Sequence, residues 1–246
     1  MYTALKNLKL SFQRVRDIAD DVDRHALEAL SDAALRARHE TIQCALAVIL
    51  SGFLESFLKE TAEELITIIS SLGIPFQDLP ERIRSTHFAE GGAVLKRQAN
   101  EERRAKAARM TESEHLVKRL ASVMDPSYEL LWEAFADTRS NPDPQTISEF
   151  LGRFDVEECW KKLAVSTGLT QNTLQVSLKS FLKVRHECAH TGTASAIPTS
   201  GDIREYCVLL ERLASGIVQV LEDRLAQPPL GRSVGVLTVS PPVSVP

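Results

Sequence analysis

The sequence predicts an all-α fold, and three observations carry that expectation. Apolar residues recur at helical spacing from the first turn onward, as Leu5, Leu8, Phe12, Val15 and Ile18 show. Alternation of period two, the mark of a half-buried strand, is absent as far as Leu225. A long segment, Asp32 to Ser71, opens after a Ser31-Asp32 capping signal and stops at Gly73 with Pro75 just beyond. Its middle is apolar on nearly every side, which predicts a central helix contacted from several directions.

With 246 residues, 43% of them hydrophobic, the chain is long enough for one large domain or two small ones, each with a core. The helical pattern runs over residues 1–225, interrupted by a polar insertion over 80–124 and followed by a flexible proline-rich tail over 226–246. The insertion is glycine-interrupted and locally basic, with Lys96, Arg97, Arg103, Arg104, Lys106 and Arg109 close together. These side chains either form a solvated helix face or contact a substrate or partner; if the substrate is RNA, Lys96, Arg97, Arg103 and Arg104 are the residues that would bind it. Shorter helices are expected over Ser127–Asp137, Gln145–Arg153 and Val156–Ser166, with the breaker "SNPDPQ" at residues 140–145. The segment "TLQVSLKSFLKVRHECAH" then sets Leu174, Val176, Leu178, Phe181, Leu182, Cys188 and Ala189 on a broad apolar surface, and Thr191-Gly192 ends it. A last helix, Asp202 to about Leu225, would pack through Ile203, Tyr206, Leu209, Leu210, Leu213 and Ile217. In the tail, Val234 to Val239 could add a strand to a partner. Trp132 and Trp160 read as core residues.

Bulk properties narrow the function classes. The most apolar window, Ala45 to Leu54, is about half of the ~20 residues that a bilayer crossing needs. The N-terminus has dispersed charges and no apolar block ending in a cleavage site, so a cytoplasmic, membrane-free protein is expected. Cys44, Cys159, Cys188 and Cys207 are widely spaced and form no C-x-x-C pair, which predicts reduced thiols in place of a disulfide framework or a cysteine zinc site. A net charge of −4 argues against a general nucleic-acid coat, although an enzyme needs only a local positive patch.

The chemistry concentrates in "KVRHECAHTG", residues 183–192, which parses in two ways. Read from His186 it is H-E-x-x-H: two histidines one helical turn apart could grip a metal, Glu187 could polarise its water, and Glu211 on the following helix offers a third ligand. The context departs from that pattern, because no strand-like segment precedes it for substrate to lie along and Gly192 stops the helix directly. Read from Arg185 it is R-x4-H. RNA is cut without metal when a base takes the ribose 2′-OH proton and a cation neutralises the charge growing on the phosphorus oxygens. A histidine exchanges protons near neutral pH, and an arginine offers phosphate a planar, permanently charged fork. Spacing alone does not choose, since Arg82 and His87 repeat it and Arg109 with His115 is one residue longer. A plain structural reading also stands: Arg185 pairs with Glu187 or Glu211, and His190 sits at the negative end of the helix dipole.

Several segments together resemble a known family. "FLKVRHECAHTG" followed by "SGDIREYCVLLERLASGI" is similar to the signature of HEPN domains, in which an apolar helix runs into R-[polar]-x-x-x-H, a short Gly/Ser-containing loop follows and an amphipathic helix closes the bundle. "ALAVILSGFLESFLKE" resembles the long helix of that group, and "SNPDPQTISEFLGRFDVEECW" the linker helices of its RiboL-PSP and MAE-like branches. The likeness covers most of residues 30–225, without the insertion and tail. It implies that residues 1–225 form a single up-and-down helical bundle, which dimerises so that two R-x4-H motifs share one cleft, with metal-independent endoribonuclease activity and no cofactor. Arg185 would be the phosphate stabiliser and His190 the proton-transfer residue. His186 stands where the family often has Asn or Asp, and Glu55 would either orient Arg185 through an ion pair or be an ordinary exposed helix carboxylate. RNA, a second copy of the chain, and an antitoxin or nucleotidyltransferase are the implied partners, in a toxin–antitoxin or anti-phage role. A catalytically silent HEPN module that binds a nucleotide or a partner protein remains the alternative, with an HExxH zinc hydrolase behind it.

Overall fold

A computed structural model describes residues 1–105, 111–125, 127–138 and 142–231. Among them there are nine α-helices and no strand. The chain opens with α1 (Tyr2–Arg24), a short α2 (Ala26–Ser31) and α3 (Ala33–Ser71). Asp32 caps α3 by accepting from the amides of Ala34 and Leu35 at 2.8 and 3.0 Å, as its sequence signal requires. At the far end Gly73 takes the left-handed backbone, φ 66°, and turns the chain away.

The centre of the molecule is α3. By length and composition it is the one helix among the described residues apolar enough to cross a membrane. In the fold its buried positions, Leu46, Leu50, Leu54, Phe57, Leu58, Leu65 and Ile69 among them, are covered by α1, α8 (Gln171–Thr191) and α9 (Ser200–Leu225). Salt bridges tie α1 to α9: Arg16 meets Glu211 at 2.9 Å, and Arg204 meets Asp20 and Asp23 at 2.7 and 2.6 Å. Four of the residues named from periodicity in α1 behave as a core stripe should, but Ile18 is 45% exposed; Ala4, Ala19 and Val22 complete the stripe instead.

The polar segment after Pro80 builds a hairpin of α4 (Glu81–Arg104) and α5 (Thr111–Ala121). Its glycines do not break α4. Gly91 is a point of close approach, where a Cβ would lie 2.6 Å from the Leu120 Cδ2 and 3.3 Å from the Leu131 Cδ2. The buried Glu102 carboxylate holds the start of α5 by accepting from the Glu112 and Ser113 amides and the Ser113 hydroxyl. The Ser113 hydroxyl first, and then those amides, keep the Glu102 carboxyl below its usual range.

Two expectations for the middle of the chain need correction. Ser127–Asp137 is no helix: among its described residues the backbone is irregular, with one 3₁₀ turn at Trp132–Ala134. Leu130 with Leu131 and Ala134 with Phe135 mimic helical periodicity, yet these neighbours are all buried together with Tyr128 and Ala136. They are buried without continuous helical hydrogen bonding, so the strip threads through the core as irregular chain. Its polar groups find partners outside the strip: Tyr128 donates to the Ile74 carbonyl at 2.8 Å, and the Leu131 amide donates to His87 Nδ1 at 3.1 Å. After α6 (Pro144–Arg153), the helix expected from Val156 starts only at Cys159 as α7 (Cys159–Thr167). Asp155 and Glu158 both have positive φ, which delays it. Trp160 is buried and donates to the Ser148 hydroxyl at 2.8 Å, whereas Trp132 is only partly buried. Residues 232–246, including Val234 to Val239, lie outside the described residues, as do residues 140 and 141 of the breaker segment.

Candidate active site at the end of helix eight

Helix α8 buries Leu174, Leu178, Phe181, Leu182 and Cys188, so its C-terminal turns are held against the core. Val176 and Ala189, which the sequence placed on that surface, are exposed. Cys188 contacts Cys44 on α3, and burial pushes its thiol up to about 12. The opposite face carries the chemistry. Gly192 closes the helix at φ 69°, with its amide on the Cys188 carbonyl at 3.1 Å. The Thr191 hydroxyl donates to the carbonyls of Glu187 and Thr193 at 2.8 and 2.6 Å. The Glu187 carboxylate accepts from the Ser195 amide at 2.9 Å and the Ser195 hydroxyl at 2.8 Å. Those two bonds hold the Glu187 carboxyl below its usual range. Thr199 and Asp202 then cap α9 reciprocally, so the loop is pinned at both ends.

The pinning removes both proposed partners of Arg185. Glu187 is turned to Ser195, and Glu211 is bonded to Arg16. Arg185 itself is half-buried, with Nε shielded from solvent and without a hydrogen-bond acceptor. A permanently charged group in that state favours any anion that reaches it. His186 and His190 are exposed, and their rings lie on one face with centroids 4.3 Å apart at 57°. Arg185 and His190 are five positions apart, about 140° around an ideal helix, so the two side chains leave the helix in different directions.

The same bonds dismantle the H-E-x-x-H set. Its general base, Glu187, and its third ligand, Glu211, are both engaged elsewhere. Among the described residues no three His, Cys, Asp or Glu side chains converge as a metal centre requires.

Glu55 accepts from Lys59 at 2.7 Å and no bond joins it to Arg185. The register explains this. Cys44 lies against Cys188 and Gln43 donates to Ser200, which places the N-terminal part of α3 beside the end of α8. Glu55 lies about 16 Å farther along α3 from Cys44. There it lines a cleft of about 210 Å³ with Lys59, Arg97, Trp132 and Thr138. Lys96, Arg97, Arg103 and Arg104 are all exposed on α4. Lys96, Arg97 and Arg104 share a shallow groove of about 320 Å³ with Asn100, so Arg97 borders both depressions. Lys106 and Arg109 lie outside the described residues.

Of the competing arginine–histidine pairs, Arg82 with His87 is structural on the histidine side. His87 has no exposed surface, its Nδ1 accepts from Leu131, and burial, helped by Arg119, lowers it to about 4. Sequence reasoning missed Ser195, the residue that turns Glu187 away. No motif spacing announces it, because the contact depends on how the loop folds back.

A helical bundle in which an apolar helix ends in R-x4-H, a capped loop follows and a second amphipathic helix closes the core defines a HEPN-type domain. The family model described as RiboL-PSP-HEPN matches residues 13–223, and the chain belongs to that family. The match extends the resemblance toward the N-terminus and spans the α4–α5 hairpin. No curated protein and no solved structure matches the chain. Membership points to a nuclease or nucleotide-binding module.

Proposed function

We propose that this chain is a metal-independent endoribonuclease whose working site is built by two copies. The observation that carries the reading is the state of Arg185: a half-buried guanidinium whose Nε has no acceptor, while the two carboxylates that the sequence offered it, Glu187 and Glu211, are bonded to other groups. It stands on the same helix end as His190, whose exposed ring is open to substrate. Because the two side chains diverge within one chain, a twofold partner supplies the facing histidine. One histidine takes the proton from a ribose 2′-OH, and that oxygen bonds to the adjacent phosphorus. The phosphorus–5′-oxygen bond breaks, and a proton is delivered to the leaving 5′-oxygen. Arg185 stabilises the negative charge on the phosphoryl oxygens throughout. The products are a 2′,3′-cyclic phosphate and a 5′-hydroxyl. The exposed basic row of α4 suits the RNA backbone, and the reading extends to a cytoplasmic toxin or anti-phage nuclease held in check by an antitoxin or nucleotidyltransferase.

The test is incubation of the purified chain with total RNA, with and without EDTA, beside His190→Ala and Arg185→Ala. Cleavage that survives the chelator, leaves cyclic phosphate ends and disappears in both variants is expected. The divergence of Arg185 and His190 favours a second reading, a silent module that binds a nucleotide or partner protein. Intact RNA after long exposure to a pure dimer, with measurable binding, would establish that instead.

A further inference from the structure

We infer that His186 and His190 form a binding site for borderline divalent transition ions, Zn²⁺, Ni²⁺ or Cu²⁺, and that occupancy silences the site instead of activating it. The two residues are one helical turn apart, both exposed, with ring centroids 4.3 Å apart. Among the described residues no hydrogen bond engages a nitrogen of either ring, so no partner must be displaced before an ion binds. A small rotation of two exposed rings turns one nitrogen of each toward a common point at the ~2.0–2.1 Å that zinc–imidazole bonds require. The platform is firm, because Cys188 on the opposite face is buried and Gly192 caps the helix immediately afterwards. Arg185 is displaced by about 100° from His186 and 140° from His190 around the helix, so its charge does not lie in the chelate direction.

What is missing decides the consequence. A hydrolytic zinc site keeps a third protein ligand and a base for the bound water. Here Glu187 is held by Ser195 and Glu211 by Arg16, so neither group serves. The ion would be held by two imidazoles, with water or an anion filling its remaining positions. It would occupy a lone pair of His190, which the proposed cleavage needs for proton transfer. Ion binding stands on the His186–His190 geometry alone; only its silencing effect rests on the ribonuclease reading.

The test is calorimetric titration of the full-length chain with ZnCl₂, NiCl₂ and CuCl₂, beside His186→Asn and His190→Gln, with circular dichroism to confirm folding. Both substitutions fall on exposed positions. Each is expected to weaken binding about 10-fold or more. Copper should bind most tightly of the three, and Mg²⁺ should not compete. Unchanged affinity in both variants, or no binding at millimolar ion, overturns the site. RNA cleavage is read in parallel: suppression by Zn²⁺ that EDTA reverses supports silencing, whereas stimulation by Zn²⁺ overturns it. The titration decides the ion site whether or not the chain cuts RNA, so failure of the nuclease reading and failure of the ion site are told apart.

Discussion

Arg82 with His87 on α4 and Arg185 with His190 on α8 have the same spacing and opposite surroundings. His87 has no exposed surface, receives the Leu131 amide and lies at ring-centroid distances of 5.7 and 5.3 Å from Phe76 and Phe88. Desolvation keeps it neutral down to about pH 4. His190 is exposed at the end of its helix, one turn from a second histidine and close in sequence to an arginine whose Nε has no acceptor. The difference teaches that the motif is a spacing, and that burial decides which copy serves as an anchor for backbone and which stays open to solvent.

The comparison is broken most sharply by removing each histidine. His190→Ala is expected to lower RNA cleavage by about 100-fold or more while leaving the melting temperature unchanged. His87→Ala should do the reverse. It leaves a void and strips the Leu131 amide of its acceptor, costing about 3 kcal/mol in denaturant unfolding, with cleavage per folded molecule retained.

Acid separates the pair next. His87 in the folded chain lies at about 4 against an ordinary value of 6.5. The folded state therefore binds the proton less readily than the unfolded chain. The stability associated with neutral His87 is present in full above 6.5 and is lost as the pH falls from there through about 4. Unfolding free energy measured at pH 7 and pH 4.5 should differ by on the order of 2 kcal/mol from this group, and His87→Gln should flatten that part of the slope.

Smaller effects test the two platforms. Gly91→Ala would press a methyl group against Leu120, 2.6 Å away, on the α4 platform that carries His87, and should cost about 1 kcal/mol in thermal unfolding. Gly192→Ala forces a side chain into φ 69°. It should destabilise the chain by about 1 kcal/mol or less and raise hydrogen exchange chiefly in the last turn of α8. If Gly192→Ala instead loosened α4, the two platforms would not be separate.

Much of this was legible in the sequence because its causes are local. The Asp32 cap, the Gly73 stop, the Gly192 stop after His190 and the amphipathic stripe of α9 depend on neighbours within a turn or two, so periodicity and capping residues reveal them. The all-α class and the R-x4-H helix end follow from those signals. Helical periodicity failed over Ser127–Asp137, because burial there comes from surrounding the strip on both sides, and adjacent leucines look alike in either arrangement.

Other properties belong to contacts between segments remote in the chain. The turning of Glu187 to Ser195, the bond of Glu211 to Arg16 and the position of Glu55 against Lys59 instead of Arg185 arise once helices and loops pack. The sequence by itself determined the cap and stop of α3, the stop of α8 and that Arg185, His186 and His190 share one helix terminus, since capping is local. Only the tertiary structure decided which of those charges stay uncompensated and which histidine is sealed from water, since desolvation and ion pairing are settled by neighbours that the linear order does not name.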